Sequence, residues 1–462
     1  MRRRLKLVNR SRWKRAAALV VAIPPVLAGL ICGGFYLNVH RQAAAMSLDR
    51  LPVLPIPQGS QKRLLIIAPH CDDETLGMGG TIAEARKNGA HVTIAFLTNG
   101  DGFRVAASRA LEKPVLEPKD FVRFAEQRQK EALAATRTLG VPDEDVIFLG
   151  FPDRGLTPMW QANWNNSIPF RSPYTGQTRS PYARCQTPSV LYSGQTLTRE
   201  LAKLITRVQP TEVFVTHPAD DHPDHAAAPL FARAALRRSR STVPLRYYLV
   251  HRGDWPLPQG LHRDDDLVPP AKMATLDTLW SAIPLSSEAR TAKEKALACY
   301  PSQLALCERF LTSFVRRNEL VGTLPETSTS LRDPASDNLV RFTNPAADIT
   351  GVSVSQQDTA LKLQVTLRGN ASSRMRYTAH LRGRSDQRDL DPSSFVEVKL
   401  QPTRVGNRMV AMTSVPLSKL GLQPGQPGKV WVCAESYWTG TLAVDRTGYR
   451  ELTLNGQPEL KL

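Results

Sequence analysis

The sequence predicts an α/β fold in which a mostly parallel sheet is covered by helices. A C-terminal β-sandwich follows it and an N-terminal transmembrane helix precedes it. Three observations carry this reading. Over 62–322, continuous apolar runs alternate with helical periodicity, the pattern of parallel strands buried on both faces. Residues 338–462 hold short alternating strands separated by turn residues, as a sandwich requires. Residues 16–39 run without a single charge. At 462 residues the chain is too long for one ordinary compact domain. Its 42% apolar and 22% charged content excludes wholesale disorder and a multi-span membrane protein.

Segment 1–15 holds Arg2, Arg3, Arg4, Lys6, Arg10, Arg12, Lys14 and Arg15 and no acid. As a helix rising about 1.5 Å per residue, 16–39 is long enough to cross a hydrocarbon core of roughly 30 Å. The basic flank predicts a single-pass protein with a cytoplasmic N-terminus and its bulk on the periplasmic or extracytoplasmic side. Pro24 and Pro25 are tolerable in a membrane span. A cleaved signal peptide is the rival reading, but its apolar region is shorter and ends in small residues, and no such site stands out here. Residues 40–61 read as a stalk. Lys plus Arg is 60 against 42 Asp plus Glu, a net +18, and the N-terminal cluster supplies nearly half of it. The rest is thinly spread and not interleaved with aromatics, which argues against nucleic-acid binding.

Strands are expected at 63–69, 92–97, 146–149, 213–216 and 247–251. Helices are expected at 76–87, stopped by Asn88-Gly89, and at 121–139, stopped by Gly140. Further helices are expected at 197–208, 224–238 and 288–318. Segment 323–337 is polar and reads as a linker. Within 338–462, strands are expected at 361–367, 376–381, 395–400, 409–415 and 430–435. Segment 154–196 breaks the alternation with Trp160, Trp164, Tyr174, Tyr182 and Tyr192. Long ordered loops are often functional. Trp160 and Trp164 are therefore candidates to stack on a sugar ring; the loop packing on its own aromatics is the other reading.

Of six cysteines, Cys32 lies in the apolar run and Cys71 in a motif described next. An oxidising compartment permits disulfides among Cys185, Cys299, Cys307 and Cys433. Cys299 and Cys307 are near enough in sequence to be bridged, though connectivity stays open. The chain contains no CxxC pair, which excludes a zinc finger.

Chemistry concentrates in two segments, Pro69-His70-Cys71-Asp72-Asp73-Glu74 after the first strand and 217–225, HPADDHPDH, after the fourth. In parallel sheets, ligands sit beyond the carboxyl ends of strands. So many ionisable groups together are costly to bury unless a metal or mutual pairing compensates. His70 and Asp73 can face one point from a helix start, and His225 can complete the set. Two histidines and a carboxylate with an open position are the composition of a hydrolytic zinc site, although other divalent ions also suit it. Such an ion makes a bound water nucleophilic near neutral pH. Asp72 is then free to act as general base, and His222 is placed to protonate a leaving group. Asp224 is expected to orient or charge-stabilise His222.

The strings PHCDDETLGMGG and HPADDHPDHAAA resemble the two hallmark segments of the LmbE-like, PIG-L deacetylase family. The resemblance extends through TNGDG at 98–102, the helix carrying Arg128 and Glu131, and LGFPDRGL at 149–156, and covers roughly 62–320. It implies a Rossmann-like fold and a zinc-dependent enzyme that removes acetyl groups from N-acetylglucosaminyl compounds. It also implies zinc on His70, Asp73 and His225, Asp72 as base, His222 as acid, and Arg128 and Asp153 near the substrate. Cys71 stands where the family most often has proline; its side chain is expected to point away from the metal. An exported, anchored enzyme would meet a cell-envelope glycan or glycolipid. Two alternatives stand beside it: a glycan-binding or scaffolding protein with a structural metal, and an amidase acting on a non-sugar substrate.

Overall fold

The computed structural model describes residues 51–454 except 254, 274–275, 327, 338–343, 372–373, 386–394 and 439–441, together with Gly29, Gly33, Gly34, Leu37 and Arg41. The expected anchor, 16–39, thus falls almost wholly outside the described residues, as do residues 40 and 42–50 of the stalk. Among the described residues no helix is long and apolar enough to cross a membrane. Residues 48–462 make one compact unit.

The first sheet has strands β1 (Arg63–Ala68), β2 (His91–Thr98), β3 (Val146–Phe151), β4 (Glu212–Thr216), β5 (Leu245–Tyr248), β6 (Leu279–Pro284) and β7 (Asn318–Thr323), in the spatial order β3-β2-β1-β4-β5-β7-β6. The strands β1 to β5 pair in parallel, whereas β7 runs antiparallel to both β5 and β6. Alternate β1 side chains feed opposite layers, Leu64 and Ile66 one core and Leu65 and Ile67 the other. This is why the strand reads as an unbroken apolar run.

Eight helices are described: α1 (Asp73–Lys87), α2 (Arg104–Ala110), α3 (Pro118–Thr138), α4 (Leu156–Trp160), α5 (Gly194–Val208), α6 (Pro223–Arg238), α7 (Ser287–Leu297) and α8 (Pro301–Thr312). Their starts are locally specified. α3 opens with proline in its first turn and a capping box between Glu117 and Asp120. Ser193 caps α5, and His222 caps α6 just before Pro223. α1 carries acids in its first turn and bases in its last, matching the helix dipole. It also presses closely on the sheet, because a Cβ on Gly77 would stand 2.2 Å from the Tyr248 ring.

The expected helix 288–318 is instead α7, α8 and the strand β7. Pro301 disfavours helical backbone at Tyr300 and opens a second helix. β6 was not legible as a strand. Residues 51–54 of the expected stalk lie along its edge, where Leu54 N donates to Ala282 O at 2.9 Å and Ala282 N to Pro52 O at 2.9 Å. That covering satisfies an otherwise open edge.

The C-terminal region is one curled antiparallel sheet of nine strands among the described residues, rather than two separate stacked sheets. It comprises β8 (Ser330–Arg332), β9 (Ile349–Gln357), β10 (Ala360–Leu367), β11 (Met375–Ser385), β12 (Phe395–Val405), β13 (Arg408–Pro416), β14 (Gly428–Trp438), β15 (Leu442–Arg446) and β16 (Arg450–Leu454). The long strand β12 makes the curl continuous. Residues 395–400 pair with β11 and residues 401–405 with β13. β8 lies inside the segment read as a linker. Trp431, Cys433 and Tyr449 join the core beneath α5 and α6, so apolar packing runs unbroken between the two sheets.

Candidate active site

The strand order reverses direction between β1 and β4, and the turns that follow these two strands carry both motifs. This is the crevice where parallel sheets bind ligands. His70, Asp72 and Asp73 arrive from β1, and His222, Asp224 and His225 from the turn after β4 and the first turn of α6.

The three expected ligands converge. His70 Nδ1 is 3.0 Å from His225 Nε2 and 3.3 Å from Asp73 Oδ2, and His225 Nε2 is 3.1 Å from Asp73 Oδ2. Backbone N–H of His70 also donates to Asp73 Oδ2 at 2.8 Å, which holds that carboxylate against its own turn. All three side chains are buried. Burial lowers the basicity of His225, but Asp73 and Asp220 outweigh it and lift the ring to about 9. Burial likewise opposes the charge on Asp73, yet His225 and His70 hold it well below the carboxylate range.

Buried Asp73 Oδ1 has no hydrogen-bond partner among the described residues, and His70 Nε2 and Asp153 Oδ1 meet only as an ion pair at 3.3 Å. A cation is the natural partner for such a set, since unpaired buried polar atoms are costly. Two imidazoles and a carboxylate suit zinc, so the residues present fit the metal. His222 and His251 border the same place. Ring nitrogens of His70, His222 and His225 lie within 4.8 Å of one another, and Asp73, His225 and His251 form a second such set.

Asp72 is the strained residue of the group. Its φ of 124° lies in the region that glycine favours, and such strain concentrates at functional sites. Its Oδ2 stands 3.3 Å from Arg128 Nη2. Burial raises this carboxyl strongly and Arg128 pulls it back, leaving it at about 7. That is suitable for a general base near neutrality. Arg128 itself is fixed by the carbonyls of Gly100, at 3.1 Å, and Cys71.

Asp153 Oδ1 lies 3.3 Å from His70 Nε2, and Asp153 Oδ2 accepts from Gly102 N at 2.9 Å. Burial opposes its charge, while His70, His222 and Arg128 hold it ionised. His222 Nδ1 accepts from Asp224 N at 3.3 Å. An accepting Nδ1 leaves the proton of the neutral ring on Nε2. Burial, together with His70 and His225, depresses this ring to about 2 in the metal-free protein.

Two expectations are corrected here. The carboxylate of Asp224 does not orient His222. It accepts from Arg154 N and Leu156 N and approaches His70 Nε2 at 3.5 Å. Only its backbone N–H reaches His222. Trp160 and Trp164 are not stacking platforms. They are 0% and 4% exposed, and they pack on Phe231 and Trp431 beneath the guanidinium of Arg382. The loop packs on its own aromatics, as the alternative reading had it. The described cysteines are free thiols, so Cys299 and Cys307 are not bridged. Cys71 points into the apolar core with α1 and β2, away from the metal residues.

Sequence reasoning missed Asp220, His251, Asp101 and Glu74. Asp220 Oδ2 lies 3.3 Å from His225 Nδ1 and accepts from Val250 N and His251 N. Its place within HPADDH was the available signal. His251 stands just past the carboxyl end of β5, a position that itself marks site residues. Asp101 accepts from Asp153 N at 2.9 Å and Tyr182 Oη at 3.0 Å. Glu74 accepts from Tyr300 Oη at 2.6 Å. The cleft over the cluster has a volume of about 240 Å³ and opens to solvent. His70, Asp72, Arg128, Asp153, His222 and His251 line its polar side, while Phe103, Phe310 and Leu311 supply apolar wall.

Parts of the chain are similar to known proteins. Residues 65–236 match the family described as PIG-L: GlcNAc-PI de-N-acetylase. The chain is 30% identical over 191 residues to a 1D-myo-inositol 2-acetamido-2-deoxy-alpha-D-glucopyranoside deacetylase of Mycobacterium sp. (strain KMS), covering 41% of this chain and 54% of that one. A protein of the same description from Kribbella flavida is 32% identical over 191 residues, covering 39% and 56%. The chain thus spans about half the length of the curated relatives it matches. Among solved structures, a deacetylase–bog complex from the teicoplanin biosynthesis pathway is 21% identical with a TM-score of 0.38, covering 57% of this chain and 99% of that one.

Proposed function

We propose that this chain, in which residues 65–236 form a PIG-L family domain, is a metal-dependent amide hydrolase that removes the acetyl group of an N-acetylglucosamine-type substrate. The observation that carries the proposal is the position of Asp72. It is a buried base near neutral pKa on a cleft lined by His70, one residue from Asp73, which meets both His70 and His225.

His70, Asp73 and His225 would hold the zinc. Bound there, the ion polarises an amide carbonyl and lowers the pKa of water. Asp72 accepts the proton of the attacking water, and Arg128 beside it keeps the base ionised. His222, once it has taken up a second proton during turnover, would donate one as an imidazolium to the departing nitrogen and return to its neutral form. Asp153 and Asp224 fix the His70 ring from its other side. The products are acetate and a free amine.

The finer reading concerns place and substrate. The charge-free run 16–39 behind a basic segment supports a single-pass anchor with the catalytic unit outside the cytoplasm. An enzyme so placed meets an amino sugar in an envelope glycan or glycolipid. A reporter fused after Leu462 tests the topology: activity only outside the cytoplasm supports it, and activity inside refutes it. Acetate release from N-acetylglucosamine-containing glycans, glycolipids and small conjugates ranks the substrates. Activity confined to a small cytosolic conjugate overturns the envelope assignment.

A further inference from the structure

A second cluster of ionisable groups lies apart from the cleft. Asp333 follows β8, Asp337 lies in the next turn, Asp348 precedes β9 and Asp445 belongs to β15. One carboxylate oxygen from each of Asp333, Asp337 and Asp445 lies within 4.8 Å of the others. Asp348 adds its charge to all three.

Buried carboxylates are normally neutralised by cations or saturated by hydrogen bonds, and here the compensation is incomplete. Arg252 Nη2 pairs with Asp337 Oδ2 at 2.8 Å, and Arg368 pairs with Asp348 Oδ2. Lys272 lies on the carbonyl of Ser336. Asp445 accepts from Ile349 N and Arg446 N. The Asp333 carboxylate is 7% exposed as a residue, and its Oδ2 is buried with no hydrogen-bond partner among the described residues. Asp337 Oδ1 and Asp348 Oδ1 are orphaned in the same way. Three unpaired oxygens from three aspartates therefore stand in one buried, like-charged cluster.

We propose that Asp333, Asp337 and Asp445 form a second, all-oxygen metal site that takes Ca2+. Hard divalent cations choose oxygen ligands, and Ca2+ binds carboxylates at about 2.3–2.6 Å in flexible geometry. One oxygen from each of the three lies within 4.8 Å of the others, close enough for all to share one such ion. The set contains no nitrogen or sulfur donor, which separates it from the zinc-type cluster in the cleft. Burial and mutual repulsion push Asp333 and Asp445 well above the carboxylate range in the metal-free protein, and a cation reverses that penalty. The site ties the turn after β8 to β15. Through Asp337 and Arg252 it also ties them to the loop that carries His251.

The test uses the full chain in detergent, treated with EGTA, reloaded with zinc and titrated with CaCl2. Bound calcium and zinc are counted by atomic emission, with Asp333→Asn alongside. One Ca2+ per wild-type chain is expected, with affinity at least tenfold weaker in Asp333→Asn and zinc content unchanged. Ca2+ should raise the melting temperature of the wild type but not of the variant. In EGTA the variant, which has lost a repelled charge, should melt at or above the wild type. No calcium on the wild-type chain at millimolar CaCl2 overturns the proposal, as does equal binding by Asp333→Asn.

Discussion

Arg128 Nη2 stands 3.3 Å from Asp72 Oδ2, and both side chains are buried. Of the charges around Asp72, this guanidinium opposes the effect of burial most strongly. Asp72 works as a base when ionised, so activity is present above its pKa and lost as pH falls through it. Arg128→Leu removes the opposing charge and raises that pKa. The acidic limb of kcat/KM against pH should therefore move to higher pH; an unmoved limb would separate Arg128 from the base.

Gly100→Ala should reproduce part of this shift without touching either charge. Gly100 has φ +64°, and a Cβ there would stand 1.6 Å from Arg128 Nη1. The guanidinium must move, and it leaves Asp72 as it does so. The same pH profile reads the outcome.

Asp220 supports the metal through His225. Its Oδ2 lies 3.3 Å from His225 Nδ1, on the opposite side of the ring from the Nε2 that meets Asp73 and His70. Carboxylates placed behind a ligating histidine typically contribute about 10–100-fold in metal affinity. Asp220→Asn should weaken zinc binding by that order in a chelator competition, with His225→Ala weaker still.

Trp160 belongs to stability rather than to recognition. Trp160→Ala should cost about 3–5 kcal/mol in a denaturant titration. Trp164→Phe, which keeps most of the packing, should leave KM unchanged. A raised KM with intact stability would restore the stacking role.

The parallel strands and the two motifs were legible because the information is local. A strand buried on both faces is a continuous apolar run, and site residues cluster where such runs end. What stayed hidden depends on partners distant in sequence. Trp160 and Trp164 look like a sugar platform until Arg382 and Trp431 cover them, more than two hundred positions later. The pairing of β6 with β7 across two helices is not written in either segment. His251 is a lone histidine in its own stretch and gains meaning only when β5 docks beside β4. The carboxylate cluster of Asp333, Asp337 and Asp445 is likewise assembled by the curl of the second sheet.

The central claim is that Asp72 performs the proton transfer at a metal held by His70, Asp73 and His225. Acetate release by the zinc-loaded full chain, beside Asp72→Asn, measures it directly. The account predicts loss of about 100-fold or more in kcat with zinc content unchanged, because the Asp72 carboxylate is not part of the ligand set. Full zinc occupancy with undiminished acetate release in the variant would contradict it.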